Sequence, residues 1–447
     1  MQLDLATLPA PKLDPLESLL ARHPTGPLAN LVEHDAPPAD AALEAFPASL
    51  AHAETKRAHF DLRGYARTRN HLEGGVSRLS PYVTWGVYTP RELLDDVASR
   101  HGRHDKDLAK FTSEIGWKAY FREGFRALGA RVYRSLEPYK YPRAEDEPGL
   151  PPGIETAETG LDCIDTLVAT LLDTGYLHNH GRMWLAAWWV HYARHAWQDG
   201  EAFLYRHLLD GEPGPNALSW QWVASTYAGK PYAFNVENMH RFGLNGCDGT
   251  SFDATYDELD ARFFAGHREG GYARRGHDHP STVPGPPRPD LLRPPTTAPM
   301  VVLHAERLST RAHVLLEHPD APVAVYLDAR RLERERPSRK RLAFAVRLAA
   351  DLVTHLRDEG RAADLFLLED EAELAHHARA LTRDGFVAPD SWHPGTWNTL
   401  GRLDTHAPVA VTPDAPLAEV QADLRSFSSY WRKAEGQVTR RLGSLFS

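Results

Sequence analysis

The sequence predicts a multi-domain protein of α and α/β class, an all-helical domain followed by a doubly wound parallel-sheet (Rossmann-like) domain. Three observations predict it. Up to about residue 275 the apolar residues recur at helical spacing, as on helices with one buried face. Between 276 and 299 the run GHDHPSTVPGPPRPDLLRPPTTAP concentrates proline, which removes backbone donors and holds each preceding residue extended. After 300, short apolar β-type runs alternate with helical stretches, the rhythm of parallel strands joined by crossover helices.

Taken in order, residues 1–60 are rich in Ala, Pro and Leu and read as a helical and loop lead-in. A helical domain is expected over 61–275, with helices over 90–99, 108–128, 182–197 and 201–209. Its clearest helix is the stretch from 160 to 175. There Ile164, Leu167, Val168, Leu171 and Leu172 form one apolar stripe, and Gly175 stands ready to end the helix in a left-handed conformation. The proline-rich stretch 276–299 is the linker. An α/β domain is expected over 300–447, with strands at 300–305, 322–329, 363–369 and 407–412 and helices over 339–358 and 371–381.

The chain has 447 residues, 42% hydrophobic and 25% charged, which is an ordinary globular balance with enough length for large cores without disulfides. No run reaches the length of a spanning helix, and the first residues lack a basic segment followed by an apolar one, so a cytoplasmic protein without a membrane anchor is expected, most simply a monomer. Cys163 and Cys247 are too few to hold a metal cluster, and no metal is expected. Fifty-one basic against sixty acidic residues give a net charge of −9, so any nucleic-acid binding calls for a local basic patch. Of the 11 Trp residues, Trp85, Trp117, Trp184, Trp188, Trp189, Trp197, Trp220 and Trp222 crowd into one part of the helical domain.

The common nucleotide, hydrolase and zinc signatures are absent from this sequence. Four polar and aromatic clusters stand out instead. Tyr65 is followed by GGVSRLSP, in which glycines, Ser77, Ser80 and a helix start suit an anion, although an N-cap and turn would use the same residues. Glu114, Trp117 and Lys118 share a helix face, with Arg122 one turn on; they suit a flat heterocycle or, equally, the cover of a core edge. His178, Asn179, His180 and Arg182 bunch at the start of a helix, where two histidines without a third ligand do not make a metal site. Asp210 and Glu212 precede a Gly/Pro-broken loop, Asn216, and the Trp220-Gln221-Trp222 triplet; Asp210 would pair with Arg182 if the loop folds back.

In this order the clusters resemble the FAD-binding domain of the photolyase/cryptochrome family. The resemblance extends from Tyr65 to about Arg241 and rests on Thr159, Gly160, Asp165, His178, Asn179, Arg182, Met183, Trp197, Gly200, Phe203, Leu208, Asp210, Gly211, Asn216, Trp220, Gln221 and Trp222. It implies FAD in a helical cavity, with its phosphates at Tyr65, Ser77, Leu79 and Ser80, an Arg182–Asp210 ion pair under the ring system, and Asn216 facing flavin N5. Lys118 and Glu212 join this cofactor-binding set. Trp220 and Trp197 correspond to the inner and middle members of an electron-transfer chain whose outer member is unassigned, with Tyr139 and Tyr141 as candidates. Glu114, Trp117, Asn179, Met183 and Trp222 match positions lining the substrate cavity of enzymes that split cyclobutane pyrimidine dimers, so these five and Asn216 form the catalytic set.

The resemblance therefore implies a light-driven DNA-repair lyase, a photolyase that uses reduced FAD to inject an electron into a flipped-out dimer in single- or double-stranded DNA. The alternative is a cryptochrome-like blue-light photoreceptor or redox flavoprotein without repair. Two positions depart from the family pattern: Lys118 and His180 stand where Arg is usual. The segment 230–243 is also shorter than the usual arginine-bearing form. The domain order is permuted as well, because 300–447 resembles the antenna domain that precedes the helical domain in photolyases; the resemblance identifies no antenna chromophore.

Overall fold

The computed structural model describes residues 2–3, 40–102, 106–143, 145–227, 229–264, 297–420 and 426–445. In chain order its elements are β1 (Gln2–Leu3), α1 (Asp40–Ala45), α2 (Leu50–Ala58), α3 (Leu62–Thr68), α4 (Ser80–Thr84), α5 (Pro90–His101), α6 (Lys106–Leu128), α7 (Asp162–Thr174), α8 (Asn179–Ala187), α9 (Trp197–His207), α10 (Pro213–Ala224), α11 (Val236–Arg241) and α12 (Tyr256–Phe263). They continue as β2 (Pro299–Leu303), α13 (His313–Glu317), β3 (Val323–Asp328), α14 (Ala329–Glu335), α15 (Arg339–Asp358), β4 (Ala363–Leu368), α16 (Glu371–Ala380), β5 (Gly385–Pro389), α17 (Pro394–Asp404), β6 (Val409–Thr412) and α18 (Phe427–Ser444). Most of the expected linker 276–299 lies outside the described residues.

The chain divides into two compact units that differ from the sequence-based segmentation. A helical unit comprises Asp61–Ser77, Asp96–Pro284 and Ala418–Ser447; an α/β unit comprises Met1–Phe60, Arg78–Asp95 and Gly285–Leu417. The described parts of the expected lead-in, 2–3 and 40–60, thus group with the sheet, and the described residues 426–445 at the end of the expected α/β domain group with the helices. The physical reason is pairing that no local period reveals: β1 adds antiparallel to β4, and the backbone N–H of Leu50 at the start of α2 donates to Asp351 on α15 at 2.8 Å.

Within the helical unit, α6 is a 23-residue helix that buries Leu108, Phe111, Ile115, Tyr120, Phe125 and Leu128. Helix α7 buries Ile164, Leu167, Val168 and Leu171 and ends at Gly175 with φ of 66°, as the stripe predicts. The single helix expected over 182–197 does not form. Helix α8 stops at Ala187, Trp188–Tyr192 make a π-turn, Arg194 takes a left-handed φ of 62°, and α9 starts afresh at Trp197 rather than at 201. A regular helix spreads five consecutive residues around its circumference, whereas the wider turn puts Trp188, Trp189, Val190 and His191 in the interior together. His191 is held there by the Val223 carbonyl at 3.0 Å and the Tyr141 hydroxyl at 2.7 Å.

Cys163 and Cys247, both buried, form a disulfide with Cα atoms 5.5 Å apart across a sequence separation of 84. Neither composition nor spacing signalled it, and such a crosslink is unusual in a reducing cytoplasm. Closing a loop of that size is worth roughly 2–5 kcal/mol, so full reduction is expected to lower the melting temperature by about 5–15 °C. Thermal melts of the oxidised and reduced protein check this; coincident curves would show that the bond contributes nothing.

The α/β unit is built on a six-stranded sheet of order β1-β4-β3-β2-β5-β6, parallel apart from β1. Strands β2, β3 and β5 are buried almost throughout, as expected of a sheet covered on both faces. The four expected strands form; β5 went unread because it opens with Gly385 and closes with Pro389, residues that usually mark turns. The strand order reverses between β2 and β5, the crevice where open α/β sheets bind ligands. Here polar side chains fill it. Glu306 accepts from Thr396 at 2.6 Å and pairs with Arg331, leaving a cavity of about 20 Å³ lined in part by Tyr326, Asp328 and Thr399, room for about one water.

No helix among the described residues is long and apolar enough to cross a membrane. Among the same residues, no group of three or more His, Cys, Asp or Glu is arranged to hold a metal ion.

Candidate functional site

Helices α6, α8, α9 and α10 of the helical unit carry most of the residues singled out above. The loop before α10 does fold back: Nη2 of Arg182 on α8 lies 2.8 Å from both carboxylate oxygens of Asp210. Its Nε donates to the Leu177 carbonyl at 2.7 Å, so the guanidinium is fixed from two sides. Asp210 is almost fully buried while Arg182 keeps a quarter of its side chain exposed, which leaves the guanidinium, not the carboxylate, available to a ligand.

Glu212, the N-cap of α10, is 1% exposed. Arg122 grips it with two parallel bonds of 2.8 Å, Nε to Oε2 and Nη2 to Oε1, and Lys118 lies 2.5 Å from Oε1. Positions 118 and 122 are one helical turn apart, so α6 presents both cations to one carboxylate. Burial opposes the charge on Glu212, but Arg122 and Lys118 outweigh it and hold the carboxyl at about 2. Burial, seconded by Arg122, lowers the Lys118 ammonium even though Glu212 pulls the other way.

Asn216, one turn into α10, donates its amide N–H groups to Glu201 on α9, at 2.9 Å to the carbonyl and 2.8 Å to Oε1. Its own carbonyl oxygen is therefore the acceptor it can offer a ligand. Glu201 escaped sequence reasoning; it lies beyond the first turn of the helix that Trp197 opens, where no capping signal marks it.

The substrate-cavity set is distributed over three helices. On α6, Glu114 accepts from Lys110 at 2.7 Å and pairs with Arg69 at 3.6 Å, while Trp117 stacks on Phe427 of α18. On α8, Asn179 and Met183 meet, Nδ2 to Sδ at 3.4 Å, and on α10 Trp222 packs against Tyr232. Arg69 is the second residue that sequence reasoning missed. His180 also lies in this region, with Nδ1 buried and without a partner; burial first, then the positive charge of Arg69, lowers its pKa and keeps it neutral.

Trp220 and Trp197 are both buried, the latter donating to Ser135 at 3.0 Å. Gly200 admits Trp220 to the helix surface, since a Cβ there would sit 2.2 Å from its ring. A third indole, Trp189, lies edge-on to Trp220 with centroids 5.9 Å apart, a neighbour that its place in a core-like run concealed. Tyr141 is spent on His191, and Tyr139 packs beneath Arg143. Of the expected phosphate residues, Tyr65 is buried on α3 with its ring edge-on to Phe111, and Ser77 closes the same segment of the helical unit. Leu79 and Ser80 instead open α4 in the α/β unit, where Leu79 is the N-cap and Ser80 the first helical residue, so a serine N-cap is not what this segment forms.

These features fit a flat hydrogen-bonding cofactor. Arg182, Met183, Asn216 and Ser219 are half-buried between fully buried neighbours on α8 and α10, and they offer a guanidinium, a thioether, an amide carbonyl and a hydroxyl. Residues 111–248 match the family model described as the FAD binding domain of DNA photolyase. Over these residues the chain is similar to the photolyase/cryptochrome family. The chain is 30% identical over 177 residues to a deoxyribodipyrimidine photo-lyase of Thermus thermophilus, covering 39% of this chain and 41% of that one. It is 26% identical over 182 residues to a chloroplastic/mitochondrial cryptochrome DASH of Ostreococcus tauri, covering 39% and 33%. A crystal structure of a bacterial class III photolyase from Agrobacterium tumefaciens superposes with a TM-score of 0.40 at 24% identity, over 53% of this chain and 49% of that one. The match thus spans about a third to two-fifths of the length of these two curated relatives. The match is to an FAD-binding domain, and Arg182, Asp210 and Asn216 all lie within the matched residues.

Proposed function

We propose that this chain is a light-driven photolyase that splits cyclobutane pyrimidine dimers in single- or double-stranded DNA. When bound, reduced FAD supplies the electron that opens the cyclobutane and takes it back afterwards. The chain's own residues do the rest. The Arg182–Asp210 pair holds the cofactor face, and Asn216, fixed by Glu201, offers a carbonyl oxygen to an N–H at N5. Trp220 and Trp197, both buried away from solvent, relay electrons to the site.

The observation that carries the reading is the Glu114–Arg69 pair, 3.6 Å apart on a half-buried surface. Glu114 can accept a hydrogen bond from a flipped pyrimidine, and Arg69 supplies beside it the cation that His180, neutral here, does not. The cryptochrome-like reading, photoreduction without repair, is favoured by two observations: neutral His180 and the covering of Trp117 by Phe427.

One experiment separates them. The protein, reduced anaerobically, is mixed with an oligonucleotide carrying a single thymine cyclobutane dimer and illuminated with blue light, and recovery of thymine ultraviolet absorbance is followed. Recovery that needs light and falls about 10²-fold or more in Glu114→Ala is the expected result, since losing a transition-state hydrogen bond costs that much in preorganised sites. Flavin that photoreduces without any dimer opening would reject repair of this lesion and leave the photoreceptor reading.

A further inference from the structure

Helix α18 brings an aromatic turn onto α6 of the same unit. The ring of Phe427 lies parallel to that of Trp117, with centroids 3.9 Å apart and planes 14° apart. Trp431, one turn along, lies parallel to Phe427 in turn, at 5.6 Å and 16°. The three rings form a ladder that begins on the one residue of the substrate-cavity set with an indole on α6. Its approach depends on Gly116, where a Cβ would sit 2.2 Å from the Trp431 ring.

The helix is anchored elsewhere. Tyr430, Ala434, Val438 and Leu442 recur every four residues and are all buried, and Tyr430 packs on Tyr120 at 5.3 Å. Phe427, by contrast, is the first helical residue and half-buried, in a turn capped by the Ser426 side chain accepting from the Ser429 N–H at 3.1 Å. Only that first turn has to yield for Phe427 to leave. At 3.9 Å the Phe427 and Trp117 rings are in van der Waals contact, so no third ring fits between them.

We propose that Phe427 is a resident competitor for the face of Trp117, a stand-in that a flipped pyrimidine must displace to stack there. The proposal rests on the reading that Trp117 lines the lesion cavity. The chemistry of the two occupants is alike: each offers a flat π-face to an indole. The exposed Arg432, Lys433 and Arg440 on the outer side of α18, against a single exposed acid, Glu435, favour a polyanion alongside the turn that opens. A closed fraction held by one aromatic stack weakens apparent affinity by the inverse of the open fraction.

The test uses full-length, flavin-loaded protein in the dark at fixed salt, with fluorescence anisotropy of an oligonucleotide carrying one thymine dimer and of its undamaged counterpart. Phe427→Ala is expected to bind the dimer about two- to tenfold more tightly, Phe427→Trp no more tightly than the parent, and both to bind undamaged DNA as the parent does. Phe427→Leu keeps the apolar volume without the flat ring and is expected to follow Ala, which guards against a variant that loosens α18 altogether. Unchanged or weaker dimer affinity in both Ala and Leu variants, with flavin content and melting temperature retained, overturns the proposal alone. No dimer affinity in any of the four proteins, with flavin bound, overturns the lesion reading and the competitor with it.

Discussion

Glu212→Gln is expected to destabilise the protein by about 3–5 kcal/mol, since it leaves the Lys118 and Arg122 cations facing a neutral amide at a site that is 1% exposed. Chemical denaturation should show a lower midpoint with an unchanged slope. The triple variant in which Lys118 and Arg122 also become Met removes every charge and is expected to recover most of the loss; if it is no better than Glu212→Gln, uncompensated charge is not the cause. The pH dependence carries the same signature. The Glu212 carboxyl is held at about 2, below its ordinary 4.5, so the unfolded chain binds its proton first as pH falls. Its contribution is complete above about 4.5 and disappears as pH falls through about 2. His191, which burial lowers from 6.5 to about 3, adds acid lability of the same sign beginning already below 6.5. Glu212→Gln should therefore abolish the lower part of the acid transition and spare the upper.

Glu201→Leu is expected to shift the one-electron reduction potential of the bound flavin downward by roughly 60–130 mV, the equivalent of one lost hydrogen bond to a charged group. The argument is geometric: Glu201 takes the amide N–H groups of Asn216 through its side-chain Oε1 at 2.8 Å and its backbone carbonyl at 2.9 Å; the Leu variant removes the first acceptor and keeps the second, so the amide loses one of its two anchors against turning its donor toward N5. Spectroelectrochemistry of the purified protein reads the shift. Glu201→Gln, which keeps an acceptor oxygen, should shift far less. Equal potentials in parent and Leu variant would mean that Asn216 does not depend on Glu201 for its orientation.

How much of this was legible beforehand follows from the range of each interaction. The α7 stripe and its Gly175 stop repeat within four residues, so periodicity found them, and the apolar runs of β2, β3, β4 and β6 are equally local. Arg182 and Asp210 were legible because a Gly/Pro-broken loop made the fold-back conceivable. Glu201 with Asn216, Arg69 with Glu114, Cys163 with Cys247 and Phe427 with Trp117 are tertiary pairings between residues that carry no spacing signal, and each partner alone reads as a surface charge, a helix end or packing. The break within 182–197 was hidden for a different reason: aromatic residues satisfy a regular helix on paper, and nothing in their spacing marks the π-turn that buries Trp188, Trp189, Val190 and His191 together or the left-handed Arg194 after it.

The way the two units are threaded bears on how the protein can be made and dissected. Each unit is assembled from three separate stretches, and α18, which lies beyond the whole α/β stretch, packs on α6. Neither unit can be excised as one continuous fragment. During synthesis the helical unit has to wait for α18, with the part of α6 around Gly116, Trp117 and Tyr120 uncovered, until the sheet-forming segment has emerged. That delay couples the yield of flavin-competent protein to the folding of a sheet that contributes no atom to the Arg182–Asp210–Asn216 cluster.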